Sequence, residues 1–188
     1  MTERTQTVDY FAIIHRFISP DSRLYRIYIP HVTCVAFKAL RTADRLGLTA
    51  EQKRFIEEAA MLHDIGVVQV DAPDLGCYGD LPYPAHIVAG GEMLRSVGLP
   101  RHARVAERHI GVGIEAGEIE QQGLALPTRD FVSETLEEQV ISWADLFFGK
   151  NPKRLWVERS IEEVRSKVAE WGDRDIRTFE MWLARFSV

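Results

Sequence analysis

The chain has 188 residues, 46% hydrophobic and 27% charged, with a formal net charge of −5. That is ample apolar material for one globular domain, and the acidic balance argues against a nucleic-acid partner gripped through its phosphates. No run of about 18 apolar residues exists to span a membrane. The opening MTERTQTVDYF lacks a signal-peptide pattern, and Cys34 and Cys77, far apart in no Cys-x-x-Cys motif, read as reduced thiols in a cytoplasmic protein.

Apolar spacing is helical nearly throughout, which places the chain in the all-α class. A first helix is expected from Thr7 to Ile18, stopped by Pro20. A short helix after Ser22, carrying Tyr25 and Tyr28, is expected to end before Pro30. His31 then opens a stripe through Val32, Val35, Ala36, Ala39, Leu40 and Ala43, with Gly47 as terminator. Thr49 with Gln52 forms a capping-box signature for a helix that climbs through Phe55, Ile56, Ala59 and Leu62 to His63. The proline- and glycine-containing stretch from Val67 to Pro84 reads as an irregular excursion, of the kind used for lids and binding loops.

Helical character resumes at His86, weakened by Gly90 and Gly91, and again from Arg101 to His109. A short helix fits Glu115 to Gln122. Thr135 with Glu138 caps the helix that carries Val140, Ile141, Ala144 and Asp145. Asn151-Pro152 reads as a helix start, with Ser160 and Glu163 as a continuation or restart. Asp173 caps a last amphipathic helix to about Phe186.

Several polar residues sit where apolar patterns carry them inward. In AAMLHDIGV, His63 and Asp64 close an apolar run just before Gly66. His31 begins one stripe, His86 begins another, and His109 ends a fourth. Asp145 lies inside the apolar ISWADLFF, with Ile141, Ala144 and Phe148 at helical spacing. Any one of these is accounted for by backbone hydrogen bonds or a neighbouring arginine. Six together would each need separate polar satisfaction, whereas one metal centre satisfies them all. His15 reads as structural. His102 shares the helix face of His109, seven residues on, and Cys34 shares that of His31; core packing suits Cys34 better than ligation.

The ordered set His31, His63-Asp64, Asp145, with HDIG at 63–66, resembles the signature of the HD-domain superfamily of metal-dependent phosphohydrolases. His86 and His109 match its two-metal branches. The resemblance covers about residues 25–150. It implies a helical bundle around a metal site, formed by one domain over 1–188 with an N-terminal helix and a C-terminal helical extension. His31, His63, Asp64 and Asp145 would hold one metal, and Asp64 would bridge to a second held by His86 and His109. A nitrogen-rich shell suits two divalent transition metals (Fe, Mn, Co, Ni or Zn) better than Mg. The implied reaction is attack of a metal-bridged hydroxide, oriented by Asp64, on a phosphoester or phosphoanhydride of a nucleotide or small phosphorylated metabolite.

Such a substrate needs further positive charge. Lys150, in FFGKNP, is the first candidate catalytic cation and Arg108 the second. Tyr25, Tyr78 and Tyr83 are candidates to line a nucleoside or sugar pocket. The cyclic-dinucleotide branch places lysine after HDIG, and Val67 here argues against that substrate. The same four-histidine, two-aspartate set also serves HD-fold di-iron oxygenases that cleave small phosphonates or polyols, and a nucleotide sensor is a third reading. Self-association as a homodimer is compatible with the sequence.

Overall fold

The computed structural model describes residues 7–187. Among them the elements run α1 (Tyr10–Phe17), α2 (Arg23–Arg45), α3 (Ala50–Leu62), β1 (Asp71–Ala72), β2 (Cys77–Tyr78), α4 (His86–Ser96), α5 (Pro100–Arg108), α6 (Ala116–Gln122), α7 (Leu136–Asp145), α8 (Ile161–Ala169) and α9 (Asp173–Phe186). The all-α expectation holds. The two strands are a two-residue antiparallel pair inside the 67–84 excursion, too short to show an alternating pattern in sequence.

The expected break at Pro30 does not occur. α2 runs unbroken through it for 23 residues. Proline removes one intrahelical hydrogen bond, but the buried stripe Leu24, Ile27, Tyr28, His31, Val32, Val35 continues at helical spacing across it. Burial of that stripe, at about 1.5–3 kcal/mol per large apolar side chain, outweighs the lost bond. His31 therefore sits within a long helix and does not start one. Its helix is pinned to the end of α3 by the Tyr28 hydroxyl, which donates to the Met61 carbonyl at 2.9 Å.

The capping boxes expected at Thr49 and Thr135 form, and Ser160 with Glu163 proves to be a third that starts α8, each with the reciprocal side-chain and backbone contacts. Asn151-Pro152 does not start a helix. The Asn151 side chain accepts from the Lys153 amide at 3.0 Å, but the turn goes no further. Arg159 instead straps this segment to the end of α7, donating to the Leu146 and Phe148 carbonyls at 3.0 Å each. The exposed Trp156 shows why no helix propagates here: the segment has no apolar face to bury. The final helix starts at Asp173 as its first helical residue, with Gly172 in the cap position.

Two glycines explain how α4 survives its weak propensity. A Cβ on Gly66 would lie 2.1 Å from the His86 carbonyl oxygen, and one on Gly91 would lie 2.5 Å from Glu107 Cγ. The absent side chains let the turn after Asp64 lie directly on the first turn of α4, and α4 lie on α5. Gly66 thereby sets the spacing between His63-Asp64 and His86. Behind this layer, Trp143, Phe147, Phe179 and Phe186 form the aromatic end of the main core, where α7 meets α9.

Gly66→Ala is expected to lower stability by about 1–3 kcal/mol through overpacking, read as a fall in Tm of roughly 3–10 °C for a chain of this size. A Tm equal to wild type would show that the 66–86 contact does not constrain the fold.

Candidate metal centre

Five elements deliver the inward polar residues. His31 comes from the middle of α2, His63 and Asp64 from the end of α3, His86 from the first residue of α4 and His109 from the end of α5. Asp145 closes α7. All except Asp145 are buried, and the Asp145 side chain is 19% exposed.

Asp64 lies at the centre with its two oxygens facing opposite ways. Oδ2 is 3.0 Å from His31 Nε2 and 3.4 Å from His63 Nε2. Oδ1 is 3.4 Å from His109 Nε2 and 3.5 Å from His86 Nε2. Asp145 Oδ1 joins the first pair, 3.2 Å from His31 and 3.6 Å from His63. On the other side, the two Nε2 atoms of His86 and His109 are 3.3 Å apart. Three groupings of ligand atoms lie within 4.8 Å of one another: His31-His63-Asp64, His63-His109-Asp145 and Asp64-His86-His109.

The backbone fixes which ring nitrogen faces inward. Nδ1 of His63, His86 and His109 contacts the carbonyl three residues back, at Ala60 (2.6 Å), Tyr83 (2.6 Å) and Ala106 (2.9 Å). A carbonyl only accepts, so Nδ1 carries the proton and Nε2 keeps its lone pair for the interior. Meanwhile His31 Nε2, His63 Nε2, Asp64 Oδ1 and Asp145 Oδ1 are buried without a hydrogen-bond partner. At about 1–3 kcal/mol for each such atom, four of them would cost a large part of the ~5–15 kcal/mol by which a domain is stable. A cationic partner common to all removes that cost, and the donor set fits divalent transition metals.

The charges are tuned together. Burial opposes ionisation of Asp64, but Lys150 and the surrounding imidazoles outweigh it and hold the carboxyl well below its usual range. Asp145 is held low against burial in the same way by His31 and His63. Burial lowers the His63 pKa, yet the two aspartates prevail and raise it to about 10, so a metal ion at Nε2 has to displace a proton to reach the lone pair. His86, farther from the second carboxylate, is dominated by burial and falls to about 3.

Lys150 is brought to the centre, with Nζ 2.6 Å from Asp64 Oδ2. Arg108 is not. It turns along α5 towards the start of α7, where its Nη1 lies 2.7 Å from Glu134 and 3.6 Å from Glu138. The reason is helical geometry: adjacent residues point about 100° apart, so the residue before His109 faces a different neighbour. Of the tyrosines, Tyr83 packs on the His86 ring at 4.9 Å and lies under the Lys150 ammonium at 5.9 Å. Tyr25 is bonded to His15 at 3.0 Å, and Tyr78 points to solvent, 78% exposed. His102 pairs with Glu58 at 3.3 Å, and the Cys34 thiol contacts the Leu155 carbonyl at 3.8 Å. The orienting carbonyls were not anticipated. Their signal is the i−3 position before a histidine at a helix end.

The HD domain profile matches residues 28–148. This chain belongs to the HD domain family. Family members bind divalent metals, and in this HD protein the buried His/Asp groupings fall inside the matched region. A curated relative from Picrophilus torridus, named tRNA (cytidine(56)-2'-O)-methyltransferase, is 35% identical over 120 residues, covering 63% of this chain and 30% of its own. One of the same name from Thermoplasma volcanium is 32% identical over 143 residues, covering 76% and 37%. An uncharacterized protein of Methanocaldococcus jannaschii is 34% identical over 112 residues, covering 58% and 57%. The HD chain thus spans about a third of the length of the two named relatives. No solved structure gives a significant match. No helix among the described residues is long and apolar enough to cross a membrane.

Arg108→Ala is expected to lower Tm by a few degrees, through loss of its pairing to α7, and to leave bound metal per chain as in wild type. Loss of metal with an unchanged Tm would place Arg108 in the centre after all.

Proposed function

We propose that the chain is a metal-dependent phosphohydrolase acting on a phosphoester or phosphoanhydride of a nucleotide or small phosphorylated metabolite. The observation that carries this reading is the division of Asp64, one oxygen towards His31 and His63 and the other towards His86 and His109. His31, His63, Asp64 and Asp145 would hold one divalent metal, and Asp64, His86 and His109 a second. Two such ions supply Lewis acidity that lowers the pKa of water and neutralises charge building up on phosphoryl oxygens.

The chain's own groups account for the rest. The Nδ1 contacts to Ala60, Tyr83 and Ala106 hold three imidazoles in fixed orientation, so little rearrangement accompanies loading. Lys150 is positively charged beside Asp64, since the attraction of that carboxylate overcomes burial and raises its pKa. On this reading its ammonium would offer a charge-assisted hydrogen bond to a phosphoryl oxygen at the centre. Tyr83, between two prolines, packs on the His86 ring on the side where Lys150 approaches.

The methyltransferase name of the two relatives fits this assignment through coverage. A cluster of four histidines and two carboxylates serves no evident step in methyl transfer to a ribose hydroxyl, so we assign methylation in those proteins to the remaining two thirds of their length. The present chain, on this reading, acts as a single hydrolytic unit on a small-molecule substrate.

Chelator-treated protein is expected to lose hydrolysis of phosphoesters and regain it with added divalent transition metal. Full activity in metal-free, folded protein would contradict the proposal. Turnover is expected to continue without dioxygen; its arrest would assign the centre to oxygenase chemistry instead. Lys150→Met is expected to raise KM for phosphoesters by about tenfold or more, with metal content retained.

A further inference from the structure

Three nitrogens converge on one oxygen of Asp64. His31 Nε2 lies 3.0 Å from Oδ2, His63 Nε2 3.4 Å and Lys150 Nζ 2.6 Å. Oδ1 faces His86 and His109 instead. Lys150 therefore bears on one half of the centre, the half that Asp145 completes. Its contact with Oδ2 is an ion pair that lacks hydrogen-bond angles, so Coulomb attraction holds it and nothing directional does.

Of the two partners, the lysine is the one that can withdraw. It follows Gly149 in the stretch between α7 and α8, which forms no helix, and carries its charge on a flexible four-carbon stem. Its side chain is 14% exposed, so it reaches the surface. Tyr83, itself 39% exposed, presents its ring 5.9 Å from the ammonium and offers a cation a second resting place. Asp64 has no such freedom, being fully buried in a turn that packs on α4 through Gly66.

A divalent cation held by His31, His63, Asp64 and Asp145 would bring two positive charges to the oxygen that Lys150 already contacts. Two cations at one buried oxygen repel, with little water between them to screen the charge. We infer that Lys150 and the first metal compete for Asp64 Oδ2, so that loading drives the ammonium towards Tyr83 and the surface, where an anion can pair with it. Metal loading and anion binding then assist each other, as linkage requires. The competition rests on the metal-centre part of the proposed function, and the choice of a phosphoryl group as the anion rests on the hydrolase part.

The test measures the affinity of the full chain for Co2+ by calorimetry, without substrate. In a His86→Ala/His109→Ala background, which keeps the first grouping, Lys150→Met is expected to bind Co2+ about tenfold more tightly. Lys150→Arg, which keeps the charge, is expected to stay within about threefold of its parent. In a His31→Ala/Asp145→Ala background, which keeps the second grouping, Lys150→Met is expected to change affinity by less than about threefold. Equal or weaker binding by Lys150→Met at the first grouping would make the lysine a support for Asp64 and overturns the inference. Equal tightening at both groupings also overturns it, since a diffuse charge effect would suffice. If either background unfolds, Lys150→Met alone decides: tightening of one of two Co2+ sites supports the competition, and tightening of both or neither overturns it. Inorganic phosphate is expected to strengthen Co2+ binding by wild type more than by Lys150→Met, and an equal effect overturns the coupling. None of these readouts needs turnover. Competition in a chain that hydrolyses no phosphoester would uphold the inference and refute the phosphohydrolase reading, whereas Co2+ uptake indifferent to Lys150 refutes the inference alone. A wild-type chain that takes up no Co2+ overturns both.

Discussion

The structure depends on one buried carboxylate. Asp64 is fully inaccessible, and burying such a charge without partners is prohibitive. Its neighbourhood is arranged to prevent that: four imidazoles approach its two oxygens from two sides, and Lys150 approaches one of them. Each partner arrives on a different segment, so α2, the end of α3, α4, α5 and the segment after α7 are all committed to one point. The helix packing and the polar centre are two aspects of the same constraint.

Backbone features convert that commitment into fixed geometry. Three histidines sit at helix ends, where a carbonyl one turn back is free to accept from Nδ1, so their orientation follows from where their helices start and stop. Gly66 brings the turn after Asp64 against the carbonyl of His86. The HDIG glycine thus has a packing role that is separate from the ligands beside it. The C-terminal helices contribute differently. Glu170, Trp171 and Asp175, in the part of the chain beyond the family match, line a cavity together with the 110–114 loop.

Much of this was legible in the sequence, for identifiable reasons. Thr49 and Thr135 declared their helices because capping boxes are local chemistry. The polar residues His31, His63, Asp64, His86, His109 and Asp145 stood out because each interrupts or ends an apolar pattern. Pro30 misled, since a local rule about proline was overridden by a buried stripe running on both sides of it. Asn151-Pro152 misled in the opposite way, having a helix-start signature with no apolar face behind it. Arg108 was ranked by proximity to His109 in sequence, which on a helix does not mean a common direction. Trp171 and its cavity left no sequence signal, because the space exists only where the 110–114 loop meets the start of α9.

Metal content separates the central claim from its rivals most directly. Elemental analysis of the purified wild-type chain is set beside a His86→Ala/His109→Ala double variant that keeps the first grouping intact. With Asp64 as a bridge between two sites, wild type carries close to two divalent transition metals per chain and the double variant about one. Equal content in the two proteins, or a wild-type chain that takes up none, would contradict the account.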